Sequence, residues 1–343
     1  MRIAHLADAH LGFRQFQRLD ADGVNRREMD VALAFRRAVD QVIARRPDAI
    51  IIAGDLFHTV RPTNRAIIEA FTQLQRLRRE LPAAPLVLIA GNHDTPRSLE
   101  AGSILKLMVS LGVDVVDDEP RRLTYPLLDL AVLAVPHAAL LRARPEEGYR
   151  PDAHARFNVL VMHPEIAGLF PEVMDYGGAR VDAADLRSTD WTYVALGHYH
   201  VVHEVAPRAW YAGSLEYTSP NLWGEVREEE RRGLTKGWLL AALATGGVER
   251  VALPPGRRIL ELPWLDAEGV TAAELDAAIA ERIAGVPGGV ADAVVRLVVQ
   301  NVPRSLGHAL DHAALRVHKA AALHFQLEAL QPRYQFLQFD LCD

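Results

Sequence analysis

Cysteine is almost absent from this chain of 343 residues, with Cys342 standing alone. An intrachain disulfide is therefore excluded, and neither a cysteine nucleophile nor a closed thiolate zinc site is expected. No apolar run approaches membrane-spanning length, and the opening residues Met1-Arg-Ile-Ala-His-Leu-Ala-Asp lack the long apolar core of a secretory signal. A reducing, cytoplasmic location with no membrane partner is the expectation. Internal repeats and low-complexity tracts are missing too. Nor does the chain carry the positive excess common in proteins that grip nucleic acid, since its formal net charge is −6. That deficit is uneven: residues 1–150 hold 21 Lys and Arg against 19 Asp and Glu, and the remainder 17 against 25. The acidity belongs to the later part and leaves the first part near neutral.

What is present is a globular composition, half hydrophobic, long enough to bury one large core and a smaller second one. Five polar motifs stand in order along it: Asp8-Ala-His10, Gly54-Asp55, Gly91-Asn92-His93-Asp94, His163 and Gly197-His198-Tyr-His200. Each follows an apolar run, Ile3–Ala7, Ala49–Ala53, Leu86–Ala90, Val159–Met162 and Tyr193–Leu196. Runs of this length without helical periodicity read as buried strands. The motifs are thus expected at strand ends on one rim of a sheet, where open α/β folds place their ligands.

The groups delivered there are three carboxylates, one amide and five imidazoles. Such a set suits two divalent metal ions, with imidazoles left over for chemistry. Two adjacent ions repel strongly, so one carboxylate has to bridge them, and Asp55 on its Gly-Asp turn is the natural candidate. Mixed oxygen and nitrogen donors favour Mn2+, with Fe2+ or Zn2+ also fitting, whereas Mg2+ prefers oxygen alone. His198 and His200, spaced as His-x-His, would point to one side of a strand end as a chelate.

These motifs resemble the signature of the calcineurin-like metallophosphoesterase superfamily. By that resemblance Asp8, His10, Asp55 and His200 hold one ion, and Asp55, Asn92, His163 and His198 the other, while His93 stays free for catalysis. The flanks Leu11-Gly12, Leu56-Phe-His58 with Arg61-Pro62, Gly213-Ser-Leu-Glu216 with Thr218-Ser219, and Lys236-Gly237 are similar to the SbcD-type DNA double-strand-break repair nucleases. The resemblance implies an α/β fold, a metallophosphoesterase β-sandwich flanked by helices, with a smaller α+β C-terminal cap domain. It also implies a two-metal DNA nuclease acting on DNA ends or single-stranded DNA, homodimerisation, and an SbcC-type SMC-like ATPase as partner. The helices that usually bind that ATPase have no evident counterpart here. His93 would stabilise the leaving oxygen or deliver its proton, Asp94 would orient the His93 ring, and His58 would contact the scissile phosphate. Arg61 and Arg65 follow the Asp55 turn and are the candidates for DNA contact; most other arginine pairs read as solvated helix faces. A small-molecule or cyclic-nucleotide phosphodiesterase is the alternative function. A non-enzymatic scaffold is disfavoured because every ligand position is filled.

Helical spacing appears over Val31 to Ala44 and over Thr63 to Leu81, with Thr63 as N-cap. Asp129–Val135 reads as a further strand, and His137 after it as structural. A boundary falls at Leu253-Pro-Pro-Gly256. It separates an expected nuclease domain, 1–253, from an expected DNA-binding cap, 258–343. In the cap Ile259–Leu262 and Ala293–Val299 read as strands, Thr271 opens a helix to Ala284, and a helix from Ser305 to Ala322 leads to a strand at Tyr334–Phe339.

Overall fold

Strands of buried residues, with exposed Arg2 the one exception, carry the polar motifs. In the computed structural model, which describes residues 1–96, 102–142, 148–169 and 178–332, the chain divides into two compact units, Met1–Gly256 and Arg257–Asp343. The first unit starts with β1 (Arg2–Leu6), α1 (Arg26–Arg45), β2 (Ala49–Ile52), α2 (Asn64–Glu80), β3 (Leu86–Ile89) and β4 (Asp114–Val116). There follow β5 (Arg121–Tyr125), β6 (Leu130–Val135), α3 (His137–Leu140), β7 (Phe157–Met162) and the short parallel pair β8 (Pro164–Ile166) and β9 (Ala179–Val181). The unit ends with β10 (Tyr193–Leu196), β11 (His203–Ala206), β12 (Ala209–Tyr211), α4 (Leu222–Arg231), β13 (Gly237–Ala242) and β14 (Gly247–Ala252).

Among the described residues these strands form two six-stranded sheets, ordered β14-β13-β1-β2-β3-β4 and β11-β12-β10-β7-β6-β5. The first three motifs leave parallel neighbours β1, β2 and β3, whereas His163 and the Gly197 motif leave β7 and β10, also parallel, in the second sheet. A single rim is therefore the wrong picture. Two sheets contribute, and their inner faces share one apolar core in which Ile3, Ile51 and Val87 meet Val132, Val159 and Val161. That layering makes the unit a sandwich, and it explains why the strands show no alternation: Ile50, Ile52 and Leu88 point the other way, under Phe35 and Val39 of α1 and Leu74 of α2.

Both helices begin on side-chain caps. Asn25 accepts from the backbone of Arg27 and Glu28, so α1 starts before its first periodic apolar residue, and Thr63 accepts from Ala66 at 3.2 Å. No described helix is long and apolar enough to cross a membrane.

The second unit is a parallel sheet ordered β15 (Ile259–Asp266), β16 (Val294–Gln300), β17 (His324–Ala329), with α5 (Ala272–Ala284), α6 (Arg304–Ala309) and α7 (His312–Ala321). Thr271 and Glu274 make the capping box that opens α5. The helix expected from Ser305 to Ala322 is two helices, because Leu310 is extended and Asp311 caps a new turn through Ala313 and Ala314. The third strand is His324–Ala329; Tyr334–Phe339 and Cys342 lie outside the described residues.

Candidate metal centre

The turns that present the site are left-handed where side chains rarely are. Asp8, His10, Asp55 and His198 have φ of 51°, 47°, 52° and 105°. Such residues persist only where the surroundings hold them, and they concentrate at functional sites. Two glycines make the close approach possible. At Gly54 (φ +94°) an added Cβ would strike His163 Nδ1, and at Gly91 it would strike Asp55 Oδ1 and lie 2.6 Å from the Asp55 nitrogen.

Within this frame the donors form two groups that meet at Asp55. In the first, His10 Nε2 lies 3.0 Å from His200 Nε2 and 3.7 Å from Asp55 Oδ2. Asp8, His10 and His200 have ligand atoms within 4.8 Å of one another. Burial holds both rings well below the usual imidazole pKa despite the nearby Asp55 carboxylate, so both are neutral, the form a metal requires. In the second, His163 Nε2 lies 3.3 Å from Asp55 Oδ2 and 3.1 Å from Asn92 Oδ1, and His198 Nδ1 lies 3.2 Å from the same Asn92 oxygen.

The fit to cations shows most clearly at His163. Its Nδ1 lies 2.8 Å from the Ala53 carbonyl, which can only accept, so Nδ1 carries the proton and the Nε2 lone pair faces carboxylate and amide oxygens. Such an arrangement needs positive charge. Without a metal the proton supplies it: burial opposes ionisation, but Asp55 and Asp8 raise the His163 pKa to about 9. Asp8 reports the same deficit, since burial lifts its carboxyl to about 7 even though both its oxygens accept from the His198 nitrogen at 3.1 Å.

His198 and His200 do not act as a one-sided chelate. They lie beyond the end of β10, and the positive φ at His198 breaks strand alternation, sending one ring to Asn92 and the other to His10.

His93 and His58 stand beside His10. Their rings stack at 5.1 Å, the His10 and His93 rings meet edge-on at 4.8 Å, and Phe13 packs against His58 at 4.9 Å. His93 Nδ1 donates to the His58 carbonyl at 2.7 Å, which fixes the ring and its tautomer. The expected orienter, Asp94, does something else. Its carboxylate accepts from the backbone nitrogens of Leu56, Phe57 and Gly91 at 3.0 to 3.2 Å, because the turn after Gly91 carries it under the Asp55 loop. It clamps the two metal-facing turns together, and the His58 carbonyl orients His93 instead.

A cleft of about 660 Å³ opens over these groups, lined by His10, Asp55, His58, Asn92, His93, His198 and His200. Arg61 and Arg65 are exposed and do not line it. His137 is buried near the site, its Nδ1 without a hydrogen-bond partner, and burial lowers its pKa to about 4.

Behind His200 lies a buried cation, Lys236, known from the sequence only as part of a flanking motif. Lys236 Nζ donates to the His200 carbonyl and to Ser214 Oγ at 3.1 Å, pairs with Glu225, and lies 3.0 Å from Glu229. Burial disfavours the charge, but the two glutamates raise the Lys236 pKa above its ordinary value. Losing a partner behind a metal ligand weakens metal affinity by about 10- to 100-fold. Lys236→Met is expected to weaken Mn2+ binding on that scale in a calorimetric titration of the metal-free protein. Unchanged affinity in a folded variant would deny Lys236 that role.

The calcineurin-like phosphoesterase pattern matches residues 1–202. The chain belongs to that family. Family chemistry uses divalent metal ions, and the two donor groups of this phosphoesterase are the candidate site for them. It is 29% identical over 209 residues to the DNA double-strand break repair protein Mre11 of Sulfurisphaera tokodaii, covering 58% of this chain and 49% of that protein. Against the Mre11 protein of Methanopyrus kandleri the identity is 29% over 272 residues, 72% of this chain and 55% of the relative. The phosphoesterase thus spans about half the length of these curated relatives. A solved dimetal phosphatase from Danio rerio aligns over 75% of this chain and 99% of its own at a TM-score of 0.38 and 12% identity, too distant to add to this.

Proposed function

We propose that this phosphoesterase is a metal-dependent nuclease that hydrolyses DNA phosphodiesters in double-strand-break repair or end processing. The observation that carries the reading is the pair of donor groups joined at Asp55 on the floor of a cleft, with the His93 ring held beside them. The similarity to repair proteins named Mre11 supports the choice of DNA. Asp8, His10 and His200 with Asp55, and Asn92, His163 and His198 with Asp55, would hold two ions, Mn2+ by preference with Fe2+ or Zn2+ as alternatives. Bound there, the ions supply Lewis acidity that neutralises the diester and activates water.

This chain's own residues do the rest. Asp55 and Asp8 set the anionic floor, and His163 is locked by the Ala53 carbonyl with Nε2 inward. His93 Nε2 stabilises the departing oxygen or hands it a proton, and its Nδ1–H stays on the His58 carbonyl throughout. His58 acts through that carbonyl and by stacking on the ring. We further propose that residues 257–343 form a cap that shapes DNA access, that the working assembly includes a second copy and an SbcC-type ATPase, and that the protein works at the nucleoid.

The test is a parallel assay on single-stranded DNA, duplex ends and a chromogenic diester, with Mn2+, with Mg2+ and with chelator. DNA hydrolysis is expected with Mn2+, to be weak with Mg2+ and to vanish with chelator. Turnover of the small diester with no DNA cleavage would shift the reading to a small-molecule phosphodiesterase, and equal activity with Mg2+ would count against the assigned donors.

A further inference from the structure

We propose that His5 and Tyr193 form a polar tie across the sandwich that fixes the register between its two sheets and so positions the metal donors, which come from both. The inference rests on the metal-centre reading and is independent of the choice of substrate. His5 belongs to β1 in one sheet, and Tyr193 is the first residue of β10 in the other. His5 Nδ1 lies 3.0 Å from the Tyr193 hydroxyl, and the two rings meet edge-on at 5.7 Å. Both residues are buried.

Stability alone does not explain a polar pair at this place. Ile51 and Leu239 stand beside His5 on the adjoining strands, Ile3 and Ala7 share its face of β1, and Val159 stands beside Tyr193. Burial holds the His5 ring neutral, with its pKa lowered to about 3, and its Nε2 has no hydrogen-bond partner. Leucine and phenylalanine would fill the same space with no polar atom left unpaired. Replacing both members of a buried polar pair by apolar groups of similar shape is often neutral or stabilising.

What an apolar pair cannot supply is direction. Apolar contact is non-directional, whereas a hydrogen bond fixes a distance and an angle. Faces of Ile and Val resist separation more than they resist sliding, and the His5–Tyr193 bond opposes the slide. Three residues after His5 comes Asp8, and five after Tyr193 comes His198, whose nitrogen donates to both Asp8 oxygens at 3.1 Å. The tie thus acts on the two strands whose ends bring Asp8 and His10 to His198 and His200. A binding constellation tolerates about 0.5 Å of error, so a small slide between the sheets costs metal affinity before it costs the fold.

The experiment pairs calorimetric Mn2+ titration of the metal-free full chain with its melting temperature in chelator, for Y193F and for H5L/Y193F. Y193F leaves the buried His5 Nδ1 unpaired and should melt about 5 °C lower than wild type. H5L/Y193F, with no polar atom left there, should melt at or above wild type. Both should bind Mn2+ about tenfold more weakly, the smaller end of the loss that follows when the support of a metal ligand is removed. A purely structural pair would instead return wild-type affinity together with the recovered melting temperature. Wild-type Mn2+ affinity in either folded variant overturns the inference while the metal centre stands, and a wild-type chain that binds no Mn2+ overturns both.

Discussion

Replacing His93 with alanine is expected to lower turnover by about two to four orders of magnitude, the scale of lost acid–base or electrostatic assistance, while both ions stay bound. The separation follows from which atoms the substitution removes. The His93 backbone nitrogen, which donates to Asp55 Oδ1 at 2.9 Å, survives in alanine, so the carboxylate at the centre of the site keeps its support. The ring is lost, and it is tied by Nδ1 to the His58 carbonyl, not to any donor of the metal groups. Metal per chain, measured by elemental analysis beside kcat, decides the matter. An emptied site in His93→Ala would make His93 a ligand, a position its closeness to His10 makes geometrically open.

Asp55→Ala should do the opposite and lose the metal first. Asp55 is the carboxylate that reaches both groups, with Oδ2 at 3.7 Å from His10 Nε2 and 3.3 Å from His163 Nε2. Two divalent ions about 4 Å apart repel by roughly 16 kcal/mol at an effective dielectric of 20, and Asp8, the other carboxylate near both groups, lies farther from His163, at 3.9 Å. Turnover should therefore fall below that of the His93 variant, with at most one ion retained per chain. Stability should separate the causes. Mn2+ should raise the melting temperature of the wild type and leave that of Asp55→Ala nearly unmoved, because ligand stabilisation follows mass action on the folded state. Without metal the variant should melt lower than wild type, since Asp55, whose carboxyl His163 helps to hold well below the usual carboxylate range, leaves that buried ring without its nearest anion. A full metal complement in Asp55→Ala would remove it from the bridging position.

The strand ends were readable because β1, β2, β3, β7 and β10 are buried on both faces, which turns each into a plain apolar run with an abrupt polar end. The periodicity of α1 and α2 was readable for the complementary reason, one apolar stripe on each. Helix α4 was not. Its inward face carries Glu225 and Glu229 beside Leu222 and Val226, so the stripe facing the protein is half charged and shows no apolar period. Lys236, just before β13, and the Ser214 and Tyr217 hydroxyls meet those carboxylates, and the Lys236 pairing with Glu225 spans 11 residues through a turn no local pattern announces. Asp94 failed for a different reason. Adjacency in sequence suggested a partner for His93, whereas the turn delivers consecutive side chains to opposite tasks, one to the cleft and one to three backbone nitrogens beneath it. That two sheets supply the motifs also escaped local reading, because strand order is set by how apolar faces pair and not by any one run.

That division of the donors between sheets bears on what a bound ion measures. Asp8, His10, Asp55 and Asn92 come from one sheet, His163, His198 and His200 from the other, and what joins the sheets is the apolar core around Ile51 and Val161. Neither sheet alone assembles either donor group. Metal occupancy is thus a tertiary property of the sandwich, lost together with the docking of its layers, and any substitution that loosens that core far from the cleft should weaken metal retention as well as the fold. Conversely, at a hundredfold excess over its dissociation constant one ion adds about 2.7 kcal/mol to the docked state. The metal is then a fastener across the core as much as a reagent in the cleft.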